Sequence, residues 1–217
     1  EDADRVMGPT VKSRWSYAES KAIDEFLSLA YHKQFGVPVV ICRFFNTVGP
    51  RQTGTYGMVI PRFVERALRG EALKVYGDGQ QSRCFLHVED AVAGIVTLAE
   101  TPSAVGQVFN VGSCEEITIL DLARKVLQQT DDWRSNGRTS EHGMASDDHM
   151  RILDERINFV PYQEAYADGF EDMRRRVPNT EKLTAYTGWR QRKTLQQTLD
   201  DVIEEFALKQ TLPAAAD

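Results

Sequence analysis

A long amphipathic segment that meets a hard stop and then a short apolar run leaves few folds open to this chain. From Tyr17 to about Phe35 the residues Ile23, Phe26, Leu27, Ala30 and Tyr31 recur at helical spacing, with Glu19, Asp24, Glu25 and Lys33 between them. Gly36 supplies the stop and Pro38 follows it. Val37 to Cys42 is almost continuously apolar, the pattern of a strand buried on both faces, as in parallel sheets. A helix leading into such a strand is half of a βαβ unit.

The alternation continues along the chain. A helix is predicted over Ile60–Leu68, closed by Gly70, then a strand over Leu73–Tyr76 and a turn at Gly77-Asp78-Gly79. Cys84–Val88 reads as a strand, Glu89–Ala99 as a helix and Gln107–Val111 as a strand. Thr118, with Asp121 three residues on, caps a helix expected to run to about Gln128. From Thr130 to Asp148 the periodicity vanishes, and a long mobile insertion is expected. Order resumes at Arg156–Val160, followed by a helix near Asn179 after Pro178, punctuated by Gly188, and a last helix over Thr194–Leu208. The class is therefore α/β.

Composition narrows the partners. The 217 residues carry 26 basic against 32 acidic side chains, a net charge of −6 that argues against a nucleic-acid partner. No run of apolar residues is long enough to span a bilayer, so no membrane is expected. The opening Glu1-Asp2-Ala3-Asp4-Arg5 is unlike a signal peptide. Cys42, Cys84 and Cys114 lie far apart, as free thiols do in a reducing compartment. The expected location is cytoplasmic. His142 and His149 have no cysteine partners in zinc-site spacing, so no metal is expected.

The residues with chemical promise begin at Ser16-Tyr-Ala-Glu-Ser-Lys21. Tyr17 and Lys21 stand four apart, one helical turn from each other on one face. An ammonium beside a phenol favours the phenolate, which could take a proton from a sugar hydroxyl near neutral pH. The spacing alone also fits an ordinary helix surface.

The wider pattern is more specific. Tyr17-x-x-x-Lys21 is followed by Arg43-Phe-Phe-Asn-Thr-Val-Gly-Pro-Arg51, Gly57-Met-Val-Ile-Pro-Arg-Phe63 and Leu73-Lys-Val-Tyr-Gly-Asp-Gly79. Then come Ser82-Arg-Cys-Phe-Leu-His-Val-Glu-Asp90, Phe109-Asn-Val-Gly112 and Phe170-Glu-Asp-Met-Arg-Arg-Arg-Val-Pro178 with Gly188-Trp189. In this order the chain resembles the extended short-chain dehydrogenase/reductase family, specifically its NAD-dependent nucleotide-sugar epimerases, dehydratases and decarboxylases.

The resemblance implies that Tyr17 is the general acid/base, that Lys21 also binds the nicotinamide ribose, and that Phe44 lies against the nicotinamide end of NAD. It implies diphosphate contacts for Asn46 and Arg83, where a turn-satisfying asparagine and a solvated arginine are the plain alternatives. A planar, permanently charged fork suits phosphate oxygens. Val59, Lys74 and Tyr76 match segments that enclose the nucleotide base, and also fit simple helix-on-strand packing. Arg174-Arg-Arg176 could be a solvated charge run. The resemblance aligns Arg176 with an arginine that reaches the substrate. Cys84 stands where many relatives carry aspartate, and its apolar neighbours suggest a buried structural thiol.

The family's Gly-rich turn is missing from the sequence. The chain accordingly resembles the C-terminal part of a longer enzyme, with the residue that defines the reaction expected upstream. The resemblance implies a Rossmann-type parallel sheet, represented by residues 1–57, and a smaller nucleotide-sugar domain over 58–217. A segment near 84–113 is expected to return to the main sheet. It implies NAD as cofactor, a UDP-sugar as substrate and a homodimer joined through the helix of Tyr17 and Lys21. The favoured reaction at this point is 4-epimerisation of a UDP-hexose, because Met58 stands where decarboxylases tend to place an arginine. UDP-glucuronate decarboxylation, nucleotide-sugar 4,6-dehydration and an inactive sugar-nucleotide-binding fragment are the alternatives. The apolar run Val37–Cys42 leads us to expect an aggregation-prone or marginally stable chain.

Overall fold

The computed structural model describes residues 1–12, 14–54, 58–135, 147–165 and 172–211. The chain opens with helix α1 (Arg14–Phe35), stopped by Gly36 at φ +70 with its N–H on the His32 carbonyl at 2.9 Å. Strand β1 (Ile41–Phe44) and β2 (Thr47–Val48) follow, then α2 (Val59–Leu68), β3 (Leu73–Tyr76), β4 (Ser82–Cys84) and β5 (Leu86–His87). Next come α3 (Val88–Ala99), β6 (Val108–Val111), β7 (Glu116–Thr118) and α4 (Ile119–Arg134). The chain ends with α5 (Asp147–Asp154), β8 (Ile157–Val160), α6 (Tyr162–Ala165), β9 (Arg175–Arg176), α7 (Glu181–Thr187) and α8 (Leu195–Thr211).

The strands join in parallel pairs, as expected for α/β topology. β1 lies beside β6 with Ile41 opposite Val108, β2 beside β5, and β3 beside β8. The exception is a three-stranded sheet in which β4 runs antiparallel to β7 and parallel to β9. Two buried clusters hold these layers. The larger packs α2, α4 and α8 over β3 through residues such as Phe63, Leu73, Leu122, Leu127 and Leu199. The smaller gathers Leu86, Leu98, Phe109, Val111, Leu183 and Trp189 around α3 and β6. The Trp189 indole N–H donates to the Asp90 carbonyl at 3.1 Å, so its burial leaves no orphan donor.

Two sequence expectations need correction here. The run Val37–Cys42 is not a strand buried on both faces: pairing starts only at Ile41, Val37 is 41% exposed and Phe44 43%. Pro38 lacks the N–H a ladder requires, and among the described residues β1 has a strand partner on one edge only, β6. The helix after Thr118 does not stop near Gln128 but continues to Arg134. Polar residues carry it on. Thr130 is fully buried and its hydroxyl returns to the Val126 carbonyl at 2.7 Å, while Arg134 donates to the Leu68 carbonyl at 2.5 Å. The segment expected to be patternless thus begins and ends in helix, and residues 136–146, with His142, lie outside those described.

Thr118 caps α4 as its sequence indicated, its hydroxyl accepting from Asp121 N–H at 3.0 Å. Removing the cap by Thr118→Ala should cost about 1 kcal/mol of unfolding free energy. Truncating the fully buried Leu127 to Ala should cost about 2–5 kcal/mol. Urea titration of the two variants checks both the values and their order.

Candidate functional site

Strand alternation builds one wall of a cleft of about 330 Å³. In β3, Leu73 and Val75 point into the core, which turns Lys74 and Tyr76 to the other side. In β4 the buried Ser82 and Cys84 likewise turn Arg83 outward. Both outward sets line the cleft. The opposite wall is the start of α2, whose Val59 and Ile60 also line it. Met58, at the N-cap of α2, makes no side-chain cap, so the first-turn N–H groups and the positive end of the helix dipole sit at the cleft. Asn46 closes one end, its amide donating to the Cys84 carbonyl at 2.9 Å and tying the β1–β2 connection to β4.

The charge of this wall is opposite in sign to that of the chain. Among the described residues, Arg62, Arg66, Lys74 and Arg83 line the cleft against a single carboxylate, Asp172. Arg66 is partly committed, to the Ala72 carbonyl at 2.7 Å and to Glu71 at 3.2 Å. Arg83 is 12% exposed and donates to the Ser82 carbonyl at 2.7 Å and to Asp172 at 2.6 Å. Tyr162 donates its hydroxyl to the other Asp172 oxygen at 3.3 Å, and burial with that carboxylate nearby pushes the phenol up to about 12. The arrangement can grip a polyanion while offering apolar surface from Val59, Ile60 and Phe85 to a planar ring.

Of the residues singled out from sequence, the fold brings Asn46, Val59, Lys74, Tyr76 and Arg83 together in this wall. Tyr17, Lys21, Phe44 and Arg176 do not line it. Tyr17 is 71% exposed on α1, with the Lys21 ammonium 5.8 Å from its ring centroid. That ammonium is held by Asp24 at 2.8 Å, which raises its pKa above the ordinary lysine value. Phe44 ends β1, and its carbonyl accepts from Arg176 at 3.3 Å while the Arg176 guanidinium lies over the Phe45 ring at 4.9 Å. Sequence reasoning missed Gln81, Tyr162 and Asp172 as cleft residues. Asp172 was visible only as the acidic neighbour of the arginine triplet, and Tyr162 follows β8 without any motif.

A paired carboxylate fixes the helix of Tyr17 and Lys21 to the strand that ends at Phe44. Glu25 of α1 receives both prongs of Arg43, each at 2.8 Å, and Arg5 also reaches it. Phe44 lies at the carboxyl end of the parallel pair β1–β6, where open α/β sheets bind their ligands. Tyr17 and Lys21 place a phenol and a cation on one exposed face of α1. Nothing in the sequence offers a Gly-rich turn for a pyrophosphate. Among the described residues no three His, Cys, Asp or Glu gather to hold a metal ion. Cys84 is fully buried, which pushes its thiol up to about 11. Cys42 is half-buried and also raised, and Cys114 is exposed.

The cleft is lined by cations and lies at the start of α2. The NAD dependent epimerase/dehydratase family matches residues 1–112, and the chain belongs to that family. It is 38% identical over 207 residues to a UDP-N-acetyl-alpha-D-glucosaminuronate decarboxylase of Bacillus cytotoxicus, covering 95% of this chain and 57% of the relative. It is 35% identical over 213 residues to UDP-glucuronic acid decarboxylase 2 of Arabidopsis thaliana, covering 94% and 41%. The solved dTDP-glucose 4,6-dehydratase of Bacillus anthracis, in complex with NAD, superimposes with a TM-score of 0.70 at 27% identity, covering 89% of this chain and 52% of that one. The chain thus spans about half the length of the relatives it matches. The family's fold is Rossmann-type and its cofactor is NAD.

The Glu25–Arg43 pair makes a pH prediction. Arg43 holds the Glu25 carboxyl below its ordinary value of 4.5. A lowered folded-state pKa means the pair stabilises above that value and fades as pH falls through the folded one. Glu25→Gln should lose about 2 kcal/mol at pH 7, and the gap from wild type should close between pH 4.5 and more acidic conditions in urea titrations. A gap that stays constant with pH would show that the charge plays no part.

Proposed function

We propose that this chain supplies the nucleotide-sugar cleft and the acid–base pair of an NAD-dependent enzyme acting on a UDP-sugar. The observation that carries this is the cleft wall, with four cationic side chains against one carboxylate among the described residues, in a chain of net charge −6. Such a wall suits a diphosphate, with Arg83 and Asn46 at the phosphates and Val59, Lys74 and Tyr76 around the base. Arg176, beside Phe44, would meet the sugar end. We place residues 1–57 with the dinucleotide-binding part and most of 58–217 with the substrate part. The β1–β6 pairing, which spans both, supports the expected return of the chain to the main sheet.

For the reaction we propose decarboxylation of a UDP-hexuronate. The two decarboxylases at 38% and 35% identity weigh more than the single position Met58. NAD, when bound, supplies the hydride acceptor for oxidation at the sugar C4. Tyr17 would take the C4 hydroxyl proton, and Lys21, one turn away, would hold the adjoining ribose. A C4 ketone is β to the C6 carboxylate, which would then leave as carbon dioxide; a proton added to the resulting enolate at C5 and return of the hydride to C4 would give UDP-xylose and restore NAD. 4-Epimerisation of a UDP-hexose is the second reading, favoured by the absence of a cation at Met58.

The test incubates the chain with NAD and either UDP-glucuronate or UDP-glucose and follows products by NMR. UDP-xylose with released carbon dioxide supports decarboxylation, and UDP-galactose from UDP-glucose supports epimerisation. UDP binding without turnover of either assigns the chain a binding role. Tyr17→Phe should lower turnover by a factor on the order of 100 or more while leaving UDP binding unchanged.

The outward face of α1 presents Phe26 at 73% and Phe35 at 65% exposure, with Ile23, Leu27 and Tyr31 beside them. We propose that this face joins two copies into a homodimer in the cytoplasm. Sedimentation should show concentration-dependent association that Phe26→Glu weakens at least tenfold. Association unchanged by that substitution would place the contact elsewhere.

A further inference from the structure

The best anion-binding group in the cleft is already engaged by an anion of the chain itself. The Asp172 carboxylate takes the Arg83 guanidinium at 2.6 Å, and its second oxygen accepts from Tyr162 at 3.3 Å. Arg83 is the more shielded partner, its side chain 12% exposed against 25% for Asp172. Asp172 is also well anchored in the chain. The next residues are fastened to β4 through the Ser82 N–H to the Arg174 carbonyl at 2.8 Å and the β4–β9 register. Arg174 and Arg175 add ion pairs to Asp78 at 2.7 Å and Glu116 at 3.0 Å. Tyr162 is seated against Gly77, where a Cβ would lie 2.4 Å from its ring.

We propose that Asp172 is an internal competitor for the phosphates of the nucleotide, holding Arg83 until a diphosphate displaces it. The idea rests on the nucleotide-site proposal above and adds a residue that opposes binding. A carboxylate and a phosphate oxygen ask the same thing of a guanidinium, two N–H donors and a positive charge. An arriving diphosphate either takes the donors Asp172 occupies or shares Arg83 with a second negative charge at close range. Both routes lower affinity, and the population of protein with Arg83 released sets how much. The carboxylate thereby discriminates. A ligand with one weak negative charge cannot displace it, whereas a diphosphate gains enough from the surrounding Lys74 and Arg62 to do so.

Isothermal titration of the chain with UDP, and separately with uridine, tests this at fixed ionic strength. Asp172→Asn, which keeps the size and removes the charge, should tighten UDP on the order of tenfold and leave uridine within twofold. The gain should vanish when Arg83→Gln is added. Tyr162→Phe removes one anchor of the carboxylate and should tighten UDP about two- to threefold, giving a second route if the first variant unfolds. UDP affinity that is unchanged or weaker in these variants, or an equal gain for uridine, overturns the proposal. If UDP does not bind the wild-type chain, or Arg83→Gln leaves its binding unaltered, the nucleotide-site reading itself falls and this inference with it.

Discussion

The cleft depends on a main-chain pairing between segments some ninety residues apart, β4 with β9. Ser82 and Arg83 can meet Arg175 and Arg176 only if the intervening helices and strands have packed, because the connection carries α3, β6, α4 and β8. Closing so long a loop is costly in entropy, and the two buried clusters supply the stabilisation. Once closed, the pairing sets Arg83 beside Arg176, and Asp172, three residues before β9, meets Arg83. The site is therefore built by tertiary packing and not by any one local motif.

Much of this was legible from the chain, for identifiable reasons. β3 was read at its observed limits because Leu73 and Val75 alternate with Lys74 and Tyr76, and the turn after it is marked by glycines. α2 was legible from its apolar face and Gly70, and the α4 start from Thr118 and Asp121. The family motifs named Lys74 and Arg83 as site residues in the cleft wall but not Arg62 or Arg66. What escaped were elements of two to eight residues, β2, β7, β9, α5 and α6, too short to show a period. The end of α4 escaped for another reason. Its last turns are held by Thr130 and Arg134, polar residues whose partners lie in the tertiary structure. Asp172 and Tyr162 could not be found from spacing, since only the β4–β9 pairing and the Gly77 turn bring them to Arg83.

The electrostatics show a division of labour. The chain as a whole is acidic, which favours solubility, while the cleft is cationic. Pairs far from the cleft, such as Arg124 with Asp154 at 2.8 Å, join α4 to α5 at the surface and contribute little each. The Glu25–Arg43 pair is more shielded and links the helix of Tyr17 and Lys21 to β1. Charge thus appears in two places: in the pair that ties α1 to β1, and in the cations that line the cleft.

The three thiols are spaced in depth as well as in sequence. Cys114 is at the surface, Cys42 half-buried beside the smaller cluster, and Cys84 fully enclosed in β4. Because only thiolate reacts, and burial suppresses it at Cys84, an alkylating reagent at neutral pH reads them in that order. The protein therefore carries native reporters of its own opening. Labelling of Cys42 ahead of Cys84 would record fraying of the β1–β6 edge, and labelling of Cys84 would record loss of the sheet that carries Arg83.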